Sequence, residues 1–301
     1  MKTFRRLLSY LKYEIRPFVL GLFLLLVSTI ATLTGPIIAK YLIDQVITPM
    51  EQTRVFEWET LLQGIGLYFV VTGIGYLCVY LNRVVMKNLS NRIAKRLRDE
   101  VFEHVQTLPI SYFDHLPAGK VVSRITSDTE SVRANFYVTG ISTLLSTIVT
   151  LIGVYIAIFM LHAGLAAALL VLIPLMLLWQ KTIAQLQRKL FSQNRELYSQ
   201  LSGQLNESLQ GAVIVQAFQQ EETIINEYEE KNKEWARVGH SELRLDAFFS
   251  WSLVALLKNI TLFCIVYFFS KQFIGGTLGI SAGLLYAFID YVNRIYEPIQ
   301  T

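Results

Sequence analysis

Charged residues are scarce in this sequence of 301 residues. They make up 17% of the chain, hydrophobic types make up 53%, and the mean hydropathy is +0.42. Soluble domains carry about 25% charged residues, so this composition argues against a water-soluble globule and excludes disordered, collagen-like and coiled-coil proteins. The shortage of charge predicts a protein that spans a membrane several times.

Several chemical motifs are missing as well. The two cysteines, Cys78 and Cys264, lie in apolar runs and offer no disulfide scaffold. The four histidines are scattered without metal-ligand spacing, so no metal site is indicated. The phosphate-binding pattern Gly-x-x-x-x-Gly-Lys-Ser/Thr does not occur. We therefore expect neither catalytic residues nor a bound cofactor in this chain.

Long apolar runs are what the sequence does contain. Six of them come close to or exceed the ~20 residues that a helix needs to cross the hydrocarbon core of a bilayer. The predicted spans are residues 18–43, 61–81, 137–161, 164–181, 247–270 and 279–300. Before them, residues 1–17 carry an apolar helical stripe bordered by Arg5 and Arg6, which predicts a helix lying in the membrane interface. A solvent-exposed leader is the alternative.

Lysine and arginine are distributed unevenly around these spans. Residues 1–17, 82–136 and 182–246 together hold 21 of them, and the segments on the opposite side hold two. Because such residues accumulate on the cytoplasmic side, we predict cytoplasmic termini and two long cytoplasmic connections in a cell-membrane protein. The net charge of +4 follows from this asymmetry, so no nucleic-acid partner is needed to explain it.

The two long connections carry apolar residues at spacings of three and four, which predicts a helical hairpin in 82–136 and another in 182–246. Pro109 and Pro117 isolate a short turn at the first tip, and Gly211 opens an apolar stretch at the second. Apolar tips need a partner surface, unless each folds back on its own hairpin. The predicted fold class is an all-α membrane protein with six transmembrane helices and long cytoplasmic helical extensions.

The tips also carry a family resemblance. Residues 97–114 (LRDEVFEHVQTLPISYFD) and 117–128 (PAGKVVSRITSD) closely resemble the first intracellular loop of type I, B-family-like ABC exporters. Residues 206–222 (NESLQGAVIVQAFQQEE) are similar to the second loop. The resemblance extends over the whole chain. Further resemblance to the family's first and last spans is carried by Gly35, Pro36, Asp44, Gly276, Gly279, Leu284, Phe288 and Pro298.

This resemblance implies the transmembrane domain of an exporter, with two short coupling helices that sit on nucleotide-binding domains. By position, the residues implied to couple are Ser111, Tyr112, Phe113 and Asp114 in the first loop, and Ala212, Val213, Ile214, Gln216, Ala217 and Phe218 in the second. The family acts as a dimer of such units, and we favour a heterodimer over a homodimer.

The resemblance further implies a nucleotide-binding domain, which this chain lacks. ATP and Mg²⁺ would belong to that domain, and ATP hydrolysis would belong to the complete transporter. We expect the sequence to be the transmembrane portion of a longer protein, or else the ATPase is a separate polypeptide.

The function implied by the resemblance is export of amphiphilic or drug-like substrates by a bacterial multidrug half-transporter. A lipid or peptide exporter of the same fold is one alternative, and a membrane scaffold or signalling protein without transport is another. A membrane enzyme acting on lipid headgroups would need clustered carboxylates such as Asp-x-x-Asp-Gly, and the sequence has none.

Ionisable residues inside spans are costly and often mark a pathway. We predict a substrate pathway near Lys258, Asp290 and Arg294, with Tyr286 and Tyr291 as aromatic wall residues. Asp290 and Arg294 are also spaced to form an ion pair that only stabilises helix packing. Both interpretations stay open. Gly283, four residues after Gly279, is interpreted as part of an outer turn, with close helix packing as the alternative.

Overall fold

The computed structural model describes residues 2–49, 58–114, 117–274 and 281–300, and every regular element in these ranges is helical. The α-helices in chain order are α1 (Lys2–Tyr10), α2 (Ile15–Leu42), α3 (Trp58–Gln106), α4 (Ile110–Asp114), α5 (Ala118–Ser123), α6 (Thr129–Ser131), α7 (Thr143–Leu161), α8 (Ala163–Leu170), α9 (Leu172–Gln210), α10 (Ala212–Ala217), α11 (Glu221–Leu245), α12 (Leu253–Ile274) and α13 (Ala282–Gln300).

Tighter and wider helical turns join several of these helices into longer runs. Leu11–Glu14 is a 3₁₀ turn, and the π-helical turns are Ile43–Ile47, Arg124–Asp128, Val132–Ser142 and Asp246–Ser252. Within the described residues, five helical runs are long and apolar enough to cross a membrane by length and composition. These runs are Thr3–Ile47, Trp58–Gln106, Gly119–Leu161, Ala163–Gln210 and Glu221–Lys271. The predicted all-helical membrane architecture is confirmed.

The sixth predicted span needs a separate description. Residues 275–280, which include Gly275, Gly276 and Gly279, lie outside the described residues. From Ala282 onward the segment is the helix α13. Its 19 residues include Asp290, Arg294 and Glu297, and these three charges make it less apolar than the other runs.

The chain divides into two compact units. The first comprises Met1–His162 and Gln272–Ile295, and the second comprises Ala163–Lys271 and Tyr296–Thr301. In the first unit α2 packs along α3, and glycines allow the helices to approach closely. At Gly75 of α3, for example, an added Cβ would lie 3.1 Å from a methyl group of Thr32 and 3.2 Å from the Cβ of Ala31, both on α2.

The N-terminal helix packs against the base of the first hairpin. Tyr10 forms a buried cluster with Leu89 and Ile93 of α3 and with Tyr137 of the returning helix. The Tyr137 hydroxyl donates a hydrogen bond to the Leu7 carbonyl over 2.8 Å, and the Tyr10 hydroxyl donates one to Glu100. The apolar stripe of the leader is therefore covered partly by protein.

An ion pair in the first helical hairpin connects α3 with α6, which follows the tip. The Arg98 guanidinium lies 3.9 Å from the Glu130 carboxylate. Arg133 donates further hydrogen bonds to Glu130 over 2.9 and 3.0 Å. These bonds from Arg133 lower the pKa of Glu130 below its ordinary value. The carboxylate therefore stays ionised to a more acidic pH than an unpaired glutamate and keeps its attraction to both arginines there.

In the second unit, α9 and α11 form the corresponding hairpin. Asn194 of α9 links the two helices, because its amide donates to Glu242 over 2.7 Å and accepts a hydrogen bond from the Trp235 indole over 2.5 Å. Leu201 is buried on the same helix. These polar contacts fix the register of the two helices below the predicted span.

The start of α13 is held by the end of the first helical run. Ser281 donates to the Asp44 carboxylate over 2.6 Å, and the Gly283 amide donates to it over 2.9 Å. A carboxylate is favourable at this position because helix N-termini carry unpaired amides and positive partial charge. The interpretation of Gly283 as part of an outer turn is wrong, since Gly283 lies in the first turn of α13 and packs against Lys40 and Asp44.

Replacing Tyr10 by alanine should free the N-terminal helix from the hairpin. The buried ring and its hydroxyl contact with Glu100 are both lost, which costs about 3 kcal/mol of local stability for a buried aromatic. Tyr10 is 5% exposed, whereas Tyr13 is 61% exposed and contacts Arg96 through its ring face. Tyr13→Ala is therefore the control, with an expected loss of at most about 1 kcal/mol. Hydrogen exchange of residues 3–14 measures both, and equal protection in the two variants would contradict the packing role of Tyr10.

Replacing Gly283 by alanine should lower the melting temperature in detergent. The new Cβ would lie 2.5 Å from the Lys40 carbonyl oxygen and 2.6 Å from an Asp44 oxygen. Backbone must shift to relieve these contacts, at a cost of about 1–3 kcal/mol. Gly66→Ala on α3 is a matched control, because nothing lies within 4 Å of an added Cβ there. A Gly283 variant as stable as the Gly66 variant would show that α13 does not depend on this close approach.

Candidate functional site

A cavity of about 310 Å³ lies in the first unit between α2, α3 and α13. From α13 it receives Tyr286, Asp290 and Arg294, which recur every four residues and so share one helix face. Three of the five predicted pathway residues are thus brought to one cavity.

The opposite face of α13 explains this orientation. Ala287, Phe288, Tyr291 and Val292 are all fully buried, so packing fixes the rotation of the helix. The charged face is left toward the cavity, which is the place where ionisable side chains inside a membrane can meet water or a partner.

Asp290 and Arg294 are paired in the structure. The Arg294 Nε donates to an Asp290 carboxylate oxygen over 2.6 Å, and both side chains remain about one-third exposed. The pair has no net charge, so the cavity does not present an isolated ion to the membrane. Packing and substrate contact are both compatible with this arrangement, since the pair is partly accessible.

The other two predicted pathway residues lie elsewhere. Tyr291 is buried in the first unit, and its hydroxyl donates to the Leu33 carbonyl of α2 over 2.6 Å. It holds α13 against α2 and does not line the cavity. Lys258 lies half-buried on α12 in the second unit.

The structure adds residues that the sequence reasoning missed. Tyr68, Thr72 and Tyr76 of α3 line the cavity, together with Thr32 of α2. The first three are spaced by four residues in a span that is otherwise mostly apolar, and this spacing is the signal that could have identified them. Aromatic rings and hydroxyl groups therefore surround the ion pair, which suits an amphiphilic ligand.

The predicted coupling residues occupy the two hairpin tips. In the first unit the tip is the five-residue helix α4, where Ser111 is exposed, Phe113 is 39% exposed and Tyr112 accepts a hydrogen bond from Arg124 over 2.7 Å. The side chain of Asp114 is not among the described groups. The tip therefore presents apolar surface but is anchored through Tyr112.

In the second unit the tip is the six-residue helix α10, which contains Ala212 and Ala217 at its ends and an exposed Gln216. Ile214 is exposed, and Val213 and Phe218 are 79% and 73% exposed. Gln219 follows with a φ of 54°, a left-handed conformation that ends the helix sharply. This tip is apolar and uncovered.

Comparison with known protein families shows which family this chain resembles. Residues 18–298 match the family described as the ABC transporter transmembrane region. The chain belongs to this family. The predicted transmembrane domain of an ABC exporter is confirmed.

Relatives of this ABC transporter chain carry related names. It is 36% identical over 220 residues to a probable multidrug resistance ABC transporter ATP-binding/permease protein, YheH, of Bacillus subtilis, covering 73% of this chain and 32% of the relative. It is 32% identical to a putative ABC transporter ATP-binding protein, exp8, of Streptococcus pneumoniae, over 98% of this chain and 49% of the relative. An ATP-dependent lipid A-core flippase of Syntrophus aciditrophicus is 24% identical over 100% of this chain and 48% of its own length. The chain spans about half the length of most of these relatives, and a third of YheH is matched.

A double-mutant cycle should reveal whether the Asp290–Arg294 pair of this ABC transporter chain stabilises the fold. The variants are Asp290→Asn, Arg294→Gln and both together, measured by thermal unfolding in detergent. We expect a coupling free energy of about 1 kcal/mol, because partial exposure weakens the attraction. The control pair is Glu229–Lys233 on α11, also spaced by four residues but mostly exposed, with nitrogen and oxygen 3.2 Å apart. Coupling no larger than in this control would contradict a packing role and favour substrate contact.

Proposed function

We propose that this chain is the transmembrane half of an ATP-driven exporter that moves amphiphilic or drug-like molecules out of the cell by alternating access. The observation that carries the proposal is the apolar tip at the end of each long hairpin, together with family membership. The uneven distribution of lysine and arginine supports cytoplasmic termini and cytoplasmic tips in the cell membrane.

The tips carry the side chains of a docking element. Phe113, Val213, Ile214 and Phe218 lie exposed, and burying each on a partner would contribute about 1.5–3 kcal/mol. A solvated hairpin gains nothing from such residues. A nucleotide-binding domain is the partner that the family membership and the names of the relatives support.

The stalks suit transmission of movement. Helix α3 runs for 49 residues, about 73 Å at 1.5 Å per residue, from a predicted span to the first tip. Helix α9 does the same over 39 residues in the second unit. A displacement at a tip would pass through a turn of one to three residues into a long continuous helix, so partner movement can alter helix packing in the span.

The nucleotide would be bound outside this chain. The sequence has no Gly-x-x-x-x-Gly-Lys-Ser/Thr loop, so its residues do not fit ATP, and we assign ATP and Mg²⁺ to nucleotide-binding domains. A second transmembrane half would complete the transporter, and we favour a different chain over a second copy. The role of this chain is to bind the substrate and to change shape.

The cavity at Tyr286, Asp290 and Arg294 is the proposed part of the substrate pathway in the first unit. Its rings and hydroxyl groups offer apolar contact, and the ion pair can accept or donate hydrogen bonds. Lys258 remains a predicted pathway residue of the second unit, and Tyr291 contributes by fixing α13.

Lipid export is the second candidate function. The observation in its favour is the match to the relative named as an ATP-dependent lipid A-core flippase, which covers the full length of this chain. Transport of a labelled lipid and of a cationic dye by the same preparation would distinguish the two substrates.

Replacing Phe218 or Phe113 by alanine should reduce ATP-dependent transport about tenfold while ATP hydrolysis continues. The reason is that the ring lost from the tip is the group proposed to fill a groove on the nucleotide-binding domain, and losing one such contact costs about 1.4 kcal/mol or more. Ethidium uptake into inverted membrane vesicles and phosphate release measure the two activities separately.

The matched controls are exposed aromatic residues on the shafts of the same hairpins. Phe102→Ala on α3 and Phe191→Ala on α9 remove rings that are also exposed but lie outside the tip helices. Transport near the parent level is expected in both. Equal losses in tip and shaft variants, or unchanged transport in the tip variants, would refute the docking assignment.

A further inference from the structure

A second cavity of the first unit has no role in the function proposed so far. It has a volume of about 640 Å³ and lies between α2, α3 and the helical run 132–161. It shares Thr32 with the cavity at Asp290 and Arg294 and is otherwise lined by different residues. Its size is in the range of about 300–1,000 Å³ that is usual for small-molecule sites.

The charge of this cavity has one sign. Arg83 and Lys87 line it, and none of the described residues that line it is acidic. In the described part of the chain neither cation forms an ion pair with a carboxylate. Two like charges spaced by four residues repel each other on a helix, so an anion between them would relieve a cost.

Hydroxyl groups from another helix line the same cavity. Thr143, Ser146 and Thr150 share one face of α7, within the third predicted span, and all three border the cavity. No hydrogen bond within the described residues engages their hydroxyls. Each can donate a hydrogen bond to an anionic oxygen, as the two cations can.

The remaining lining is mixed. Leu25, Val79, Met86 and Val138 are apolar. The other lining residues are polar side chains that each donate to a backbone carbonyl: Ser28, Thr29, Thr32, Asn82 and Ser142. Arg83 follows the end of the second predicted span, at residue 81, by two positions, which places it near the level of lipid headgroups. Cations at that level can also extend their charged groups toward water. That alternative does not explain why free hydroxyl groups line the same cavity.

We propose that this cavity binds an anionic lipid, with its headgroup phosphate between Arg83, Lys87 and the hydroxyls of Thr143 and Ser146. An acyl chain of this lipid lies along the apolar residues of the cavity. A zwitterionic lipid fits less well, because the cavity offers no carboxylate for the cationic part of the headgroup. Free phosphate fits less well because it leaves these apolar residues uncovered.

Native mass spectrometry of the purified protein tests this proposal. The probes are palmitoyl-oleoyl phosphatidylglycerol, phosphatidylcholine with the same chains, and glycerol phosphate as the soluble source of the headgroup. We expect phosphatidylglycerol to bind about tenfold more tightly than either of the others. Replacing Arg83 and Lys87 together by glutamine should weaken its binding about tenfold, since each cation near an anionic headgroup contributes a several-fold gain in affinity.

The control removes the same charges at the same spacing from a neighbouring segment. The control variant combines Lys12→Gln with Arg16→Gln. Both residues belong to the predicted interfacial leader, and neither lines the cavity. We expect the affinity of this control variant for phosphatidylglycerol to fall by less than about twofold. A second test is Ser146→Phe, which fills the cavity without changing its charge and should weaken lipid binding about fivefold. This variant still tests the proposal if the double glutamine variant fails to fold.

Three results would overturn the proposal. The first is equal affinity for phosphatidylglycerol and phosphatidylcholine. The second is binding of glycerol phosphate as tight as that of the lipid, which would assign the cavity to a soluble phosphate. The third is an equal loss in the Lys12 and Arg16 control, which would mean that general surface charge causes the binding. None of these results depends on ATP hydrolysis or transport, so they test the cavity and not the exporter function.

Discussion

The hydrogen-bonding needs of the backbone inside a bilayer constrain every other feature of this protein. Water is absent from the hydrocarbon core, so an unpaired amide or carbonyl there costs several kcal/mol, and helices satisfy these groups within one segment. The described residues form helices and short helical turns, and five runs are long and apolar enough to span. Because the helices satisfy their own backbones, they can continue past the predicted spans as stalks.

Within this constraint, the position of α13 determines the candidate pathway. Asp44 and Ser281 hold its first turn, and the Tyr291 hydroxyl holds its middle to the Leu33 carbonyl of α2. With its apolar face buried, the face bearing Asp290 and Arg294 must point into the cavity. Gly283 is small and permits the close approach of α13 to Asp44 at the start of the helix. Packing at that end therefore helps to determine which side chains of α13 line the cavity near its middle.

Two cavities of the first unit differ in chemical character. One surrounds a neutral ion pair with aromatic rings, and the other is lined by hydroxyl groups and by two cations that have no carboxylate partner among the described residues. Thr32 borders both, so they lie side by side along α2. The first suits ligands with little net charge, whereas the second suits an anion. In both units the hairpin tips also leave apolar side chains exposed.

The sequence by itself determined the helical class and the family, and it predicted the spans and the hairpins with their tips, because hydropathy, periodicity and local motifs act over neighbouring residues. Tertiary structure alone decided that Tyr68, Thr72 and Tyr76 meet Tyr286 and the ion pair, that Tyr291 packs on α2, and that Gly283 lies against Asp44. The physical reason is that the rotation of one apolar helix against another depends on steric fit between distant segments. Side chains on all faces of such a helix are similarly apolar, so its own pattern does not specify which face is buried.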